Sequence, residues 1–122
     1  NEMVRSLSAD LPAGVDLSKA KAFLVLEAAT TIRTSFNIVS VANPSTGVYD
    51  VLFAVPFKTK NFSVVATSGV PDGTGSSAGI PYLHEYLGTS ERIGVRVNFD
   101  NDAGAKANRN FCLVAFGELE NE

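Results

Sequence analysis

The residues best placed for catalysis lie in one glycine-rich stretch of the 122-residue chain. Residues 75–79, Gly-Ser-Ser-Ala-Gly, have the spacing of the nucleophile elbow of α/β-hydrolases, in which a strand and a helix hold the serine in a strained turn. Here Pro-Asp-Gly at 71–73 precedes the motif and Ile80-Pro81 follows it, so we expect neither flanking element. The only histidine, His84, follows too closely to leave room for the sheet of such an enzyme. We therefore expect no catalytic residue and no enzymatic activity.

Two further groups of residues supply some of the ligands that a metal site needs. Residues 100–104 offer oxygen ligands as a calcium loop does, but the later ligands and the bidentate Glu are missing, and a hairpin turn is the favoured interpretation. Transition-metal sites need several His, Cys or carboxylate ligands, which the single His84 and the single Cys112 do not supply. Cys112 lies in the apolar run 111–116, where we expect a small buried hydrophobe. No metal or cofactor is expected, and His84 is expected to be a surface residue or a partner contact.

Charge and hydropathy narrow the classes of partner. The formal net charge is −3, and the ten Lys and Arg residues are scattered along the chain, so neither nucleic acid nor an anionic membrane is indicated. No apolar run approaches the ~18 residues of a membrane-spanning helix. Partners are expected to be proteins or glycans.

Short apolar runs separated by turn residues make up most of the chain. Six runs rich in Val, Ile and Phe are bounded by Gly, Pro, Asn, Asp or Ser, at residues 20–27, 36–42, 47–55, 62–68, 91–99 and 111–118. This pattern predicts an all-β fold, an antiparallel β-sandwich of jelly-roll-like or similar type over residues 20–122. Pro44 and Gly47 predict a hairpin turn between the second and third runs.

Two segments outside these runs carry candidate partner-binding residues. Residues 69–88 are predicted to be a long loop, either functional or disordered, and its candidate contacts are Tyr82, His84 and Tyr86. Residues 1–19 are predicted to be an extended N-terminal arm, either a frayed terminus or a clasp laid over an adjacent subunit. The apolar anchors of the arm are Val4, Leu7, Leu11 and Val15.

Two predicted strands, 47–55 and 111–116, are apolar on both faces. A small sandwich buries only one face of each sheet, so the surplus apolar faces need a cover. The candidate covers are an added arm and a neighbouring subunit, and we expect a homo-oligomer. The expected interface residues are Leu52, Val114 and Phe116.

Five short motifs occur in order along the chain: Ala20-Lys21-Ala22-Phe23, Ile32-Arg33-x-Ser35-Phe36-Asn37, Gly47-x-Tyr49-x-Val51-x-Phe53, Asn61-Phe62-Ser63-Val64 and Phe116-Gly117. In this order they resemble a domain common at the distal ends of bacteriophage and prophage tail fibres. That domain usually has Trp at the place of Phe23 and Tyr at the place of Phe62. The resemblance covers residues 20–68 well and the remainder poorly. It implies a structural protein of the phage particle and favours a three-fold axis.

The sequence and the resemblance together predict a bacteriophage virion structural protein on the particle surface, trimeric and without enzymatic activity. The first role is a capsid decoration or cement protein whose arm clasps capsid subunits or neighbours, which a short chain without shaft or repeats favours. The alternative is a tail-fibre or spike tip, in which loops 69–90 and 100–110 bind a host glycan or surface protein.

Overall fold

The computed structural model describes residues 17–27, 30–68, 80–100 and 110–122. Within these ranges the chain forms eight β-strands and no helix. The strands are β1 (Ala22–Glu27), β2 (Thr31–Phe36), β3 (Ile38–Ser45), β4 (Val48–Phe53), β5 (Ser63–Ser68), β6 (Ile80–Leu87), β7 (Gly94–Asp100) and β8 (Phe111–Phe116). They form two antiparallel four-stranded sheets packed face to face, which confirms the predicted all-β sandwich.

Sheet A has the strand order β2-β1-β8-β5, and sheet B has the order β3-β4-β7-β6. The predicted hairpin between the second and third apolar runs is confirmed as β3–β4. The Asn43 side chain closes its turn by donating to the carbonyls of Ser45, at 2.8 Å, and Val48, at 2.7 Å. Strands β2 and β6 were not among the predicted strands, and both lie at sheet edges.

The core is built from alternate residues of the central strands, because successive side chains of a strand point to opposite faces. The fully buried large side chains include Leu24, Leu26, Tyr49, Val51, Val95, Val97, Phe99, Phe111 and Leu113. The Tyr49 ring packs edge-on against Phe99, at 5.7 Å between centroids, and against Phe111, at 5.0 Å, so it joins the two sheets. In β7, Val95, Val97 and Phe99 point into the core, whereas Ile93, just before the strand, is exposed.

Both described chain termini lie at one end of the sandwich, where an aromatic stack fills the space between the sheets. Phe62 stacks between Phe57 and Tyr86, with centroid distances of 4.2 Å on each side. The Tyr86 hydroxyl donates to the Phe62 carbonyl. Gly117 passes so close that a Cβ there would lie 2.7 Å from the Phe62 Cβ, so only glycine fits.

Asn37 directs the chain from sheet A into sheet B. Its φ of 59° places it in the left-handed region, which Asn tolerates better than most residues. Its amide donates to the carbonyls of Lys21, at 3.1 Å, and Val55, at 3.0 Å, while its Oδ1 accepts from the Val55 amide at 2.6 Å. One side chain therefore joins the start of β1, the β2–β3 crossing and the segment after β4.

Replacing Asn37 should test this junction. We expect Asn37→Ala to lower the free energy of unfolding by about 3 kcal/mol, since three hydrogen bonds are lost and alanine is strained at positive φ. The matched Asn37→Gly should lower it by about 2 kcal/mol, because glycine loses the same bonds without the strain. Urea unfolding measures both changes. A glycine variant as stable as the wild type would show that the side-chain bonds contribute nothing.

Burial raises the pKa of the Tyr86 hydroxyl above its ordinary value. A raised pKa means that the folded state favours the neutral phenol, so its stabilisation is complete below the unfolded pKa of about 10 and is lost as pH rises further. We expect Tyr86→Phe to be less stable than the wild type by about 1 kcal/mol near neutral pH, through the lost hydrogen bond. Urea unfolding across alkaline pH should show this difference shrinking. A difference that stays constant above pH of about 10 would contradict the assignment.

Candidate functional site

The surface that stands out is the outer face of sheet A, where four apolar side chains line up across all four strands. Strand register places Phe36, Phe23, Val114 and Val65 side by side in one row. Phe23 and Phe36 stack with their centroids 6.0 Å apart. Phe36 remains 52% exposed and Val65 55% exposed, so the row is not covered by the described part of the chain. We call these four residues the outer apolar patch.

The rows beside the outer apolar patch extend its apolar character. Val25 and Cys112 are paired in the next row, flanked by threonines at the two edge strands. Phe116 lies beyond Val114 on the same strand, paired with Ser63 of β5. The central strands of this face thus present apolar side chains outward along most of their length.

The outer face of sheet B carries charged side chains that pair with one another. Arg96 donates from Nε to Asp50 Oδ1 at 2.6 Å and from Nη2 to Asp50 Oδ2 at 2.9 Å. The hydrogen bond that it donates to Asp50 raises the pKa of the Arg96 guanidinium. Glu85 lies on the other side of Arg96, at 3.4 Å from Nη1. Sheet B also carries exposed apolar side chains, among them Val39 of β3 at 63% and Ile80 of β6 at 57%, so the outer face of sheet A is distinguished by its aligned apolar row.

Two cavities open between the described elements. The first, of about 260 Å³, lies where edge strands β5 and β6 face each other, and it is lined by Val64, Val65, Ala66, Pro81, Tyr82, Leu83 and Val97. The second lies at the end of the sandwich that holds the described termini, and Leu17, Phe62, Ser63 and Phe116 are among its lining residues. Lys58 and Glu118 also line the second cavity, where they pair with each other at 2.8 Å.

The described ranges contain no group of three His, Cys, Asp or Glu side chains able to hold a metal ion. Nor does any helix among those residues have the length and apolarity needed to cross a membrane. Residues 75–79, which match the nucleophile-elbow motif that the sequence context rejects, lie outside the described residues. So do residues 101–104 of the candidate calcium loop.

The predicted loop contacts turn out to lie on a strand. Tyr82, His84 and Tyr86 belong to β6, so their assignment to a loop was wrong. Tyr82 and His84 are exposed, but Tyr86 points inward and packs on Phe62. The strand was hidden in the sequence because its register shifts between Leu83 and Glu85, which breaks the period-2 pattern.

The predicted interface residues do not form one surface. Val114 and Phe116 lie on the outer face of sheet A, whereas Leu52 lies on the outer face of sheet B, paired with Gly94. Cys112, expected to be buried, is only half-buried on the outer face of sheet A. The arm anchors Val4, Leu7, Leu11 and Val15 lie outside the described residues.

The prediction missed three residues of the outer apolar patch: Phe23, Phe36 and Val65. Phe23 and Val65 alternate with core residues of their strands, so the signal that identified Val114 was also present there. Phe36 lies in β2, where every residue is exposed, so it does not alternate with core residues and the same signal is missing.

Comparison of the chain with protein-family models, with curated proteins and with solved structures finds no match in any of the three. The sequence motifs and the geometry described above are therefore the basis for any functional assignment.

Charge placed in the outer apolar patch tests the self-association that the sequence leads us to expect. We expect Val65→Asp to raise the dissociation constant of the oligomer at least about tenfold, since burying one valine contributes roughly 1.5 kcal/mol. Val39→Asp is the matched control, because Val39 is also an exposed strand valine, at 63%, but belongs to β3 of sheet B. Sedimentation velocity over a concentration series measures both. Equal effects of the two substitutions would show that the patch has no special role.

Proposed function

We propose that the protein is a structural component of a bacteriophage particle, displayed on the particle surface and without enzymatic activity. The observation that carries the proposal is the outer apolar patch, an aligned apolar row across an otherwise complete sandwich. An exposed face of this kind is typical of a surface that another protein covers. Neighbouring copies around a three-fold axis are the proposed cover, in keeping with the closed symmetry of most homo-oligomers and with the fibre-domain resemblance.

The direction of the strands gives the domain two different ends. Residues 17–21 enter and residues 117–122 leave at the end where Ala22 pairs with Ala115 and Ser63 pairs with Phe116. The opposite end of the sandwich is where Ser68 pairs with Phe111 and Ile80 pairs with Asp100. This polarity fits a domain held to the particle near its described termini, with the opposite end directed away.

The first proposed role is a capsid decoration or cement protein. A decoration domain needs a surface by which many small copies bind the shell and one another, and the outer apolar patch supplies such a surface. The outer face of sheet B, with its Asp50–Arg96 pair, would then face solvent.

The second proposed role is a tail-fibre or spike tip that binds a host glycan or surface protein. The resemblance of the five motifs favours it. The exposed Tyr82 and His84 of β6 are the candidate receptor contacts in this role.

Copy number per particle separates these roles. Purified particles from the phage or prophage that encodes the chain are analysed by quantitative mass spectrometry against an isotope-labelled standard of this protein. We expect the protein in the particles, with hundreds of copies for shell decoration and a few to some tens for the tail. Its absence from intact, infectious particles would overturn the proposal.

A further inference from the structure

Strand β5 forms one edge of sheet A. It pairs with β8 over its whole length, from Ser63 to Ser68, without a register shift. The opposite side of residues 63–67 meets no strand within the described ranges. Alternate residues of an antiparallel edge strand turn their N–H and C=O groups away from the sheet, and these groups can pair with a strand of another chain.

The other three edge strands carry features that discourage such pairing, and β5 does not. Charged residues, proline and register shifts protect an edge from a further strand. Arg33 lies in β2, Pro44 in β3 and Pro81 in β6, and both β3 and β6 contain register shifts. The sequence of β5, Ser-Val-Val-Ala-Thr-Ser, has no charged residue and no proline. Strand β5 is therefore the edge best suited to accept a strand.

The sandwich is also open beside β5. Leu83 of β6 is paired with the core residue Val97, so it lies on the inner face of sheet B, yet it is 41% exposed. It lines the cavity of about 260 Å³ between β5 and β6, together with Val64 and Ala66. A partner that adds a strand to β5 extends over this opening and removes Leu83 from water, which stabilises the contact.

A second copy of β5 suits this edge because its residues match across a two-fold axis. In the antiparallel register that places Val65 opposite Val65, Ser63 faces Thr67 and Val64 faces Ala66 of the other copy. Apolar side chains then meet apolar ones, hydroxyls meet hydroxyls, and no like charges are opposed. Such an isologous contact is the commonest kind in soluble homo-oligomers.

The same register continues the outer apolar patch. Within one copy the row runs from Phe36 through Phe23 and Val114 to Val65, where it ends at β5. With Val65 opposite its counterpart, the row runs on through the second copy. Each copy contributes the four strands of its sheet A, and the two sheets become one.

We propose that two copies of the protein pair through β5, antiparallel and with Val65 at the two-fold axis, so that their sheets A form one continuous sheet. This contact goes beyond the proposed function, because it needs only a second copy of the chain and no particle. It uses the edge of sheet A and leaves the outer face open, so the three-fold contact proposed above remains available.

Charge exchange at position 65 tests the register. The variants Val65→Lys and Val65→Glu are made in the full chain, and one of them is isotope-labelled so that native mass spectrometry separates mixed dimers from homodimers. We expect each variant alone to dimerise at least about tenfold more weakly than the wild type, because like charges lie directly opposite each other. Mixing the two variants should restore dimers, since opposite charges then meet.

Phe36→Lys is the matched control. Phe36 lies in the same row and is 52% exposed, but it belongs to β2 at the far edge of the sheet, so its replacement should leave the β5 dimer intact. Urea unfolding verifies that all three variants keep the wild-type fold.

Three results would overturn the pairing through β5. One is a mixture that dimerises as weakly as either charged variant alone. Another is an equal loss of dimer in Val65→Lys and Phe36→Lys, which would assign the contact to the outer face. The third is a wild-type chain that stays monomeric. Each of them leaves the proposed function to be decided by particle composition, so the two failures are distinguishable.

Discussion

The side chain of Asn37 holds the two sheets in their mutual arrangement at the point where the chain passes between them. Its three hydrogen bonds reach the backbone of Lys21 and Val55, so the start of β1 and the end of β4 are fixed to the same residue. Because Asn37 directly follows Phe36, it also fixes where β2 ends against β1. The stacking of Phe36 on Phe23, and with it the outer apolar patch, depends on this junction.

The same end of the sandwich is closed by the last residues of the chain. Lys21, buried beside Asn37, forms an ion pair with Glu122. Glu118 pairs with Lys58 at 2.8 Å, and Glu120 pairs with Arg92 at 2.7 Å. The exposed pairs contribute little individually. Together they hold residues 118–122 beside the aromatic stack that Gly117 approaches closely.

The sequence predicts the fold class and much of the core because period-2 alternation is strong in the central strands. In β4 and β8 the pattern identified two apolar faces, although it could not tell which face would be buried or which sheet each strand would join. Leu52 and Val114 were therefore expected on one interface, and the crossings between sheets put them on opposite outer faces. Edge strands gave weaker signals, since every residue of β2 is exposed and β6 contains a bulge.

The motifs that resemble a tail-fibre domain occupy positions that the fold requires. Asn37 joins the sheets, Tyr49 and Val51 fill the core, and Phe62 packs in the stack beside Gly117. Such residues specify a sandwich, and by themselves they identify no partner. Phe23 and Phe36 are different, because they belong to the same motifs but point outward into the outer apolar patch. Two residues of the motifs thus lie on the molecular surface, at the face proposed for assembly. An aromatic residue larger than Phe23 at that position would enlarge this face without disturbing the core.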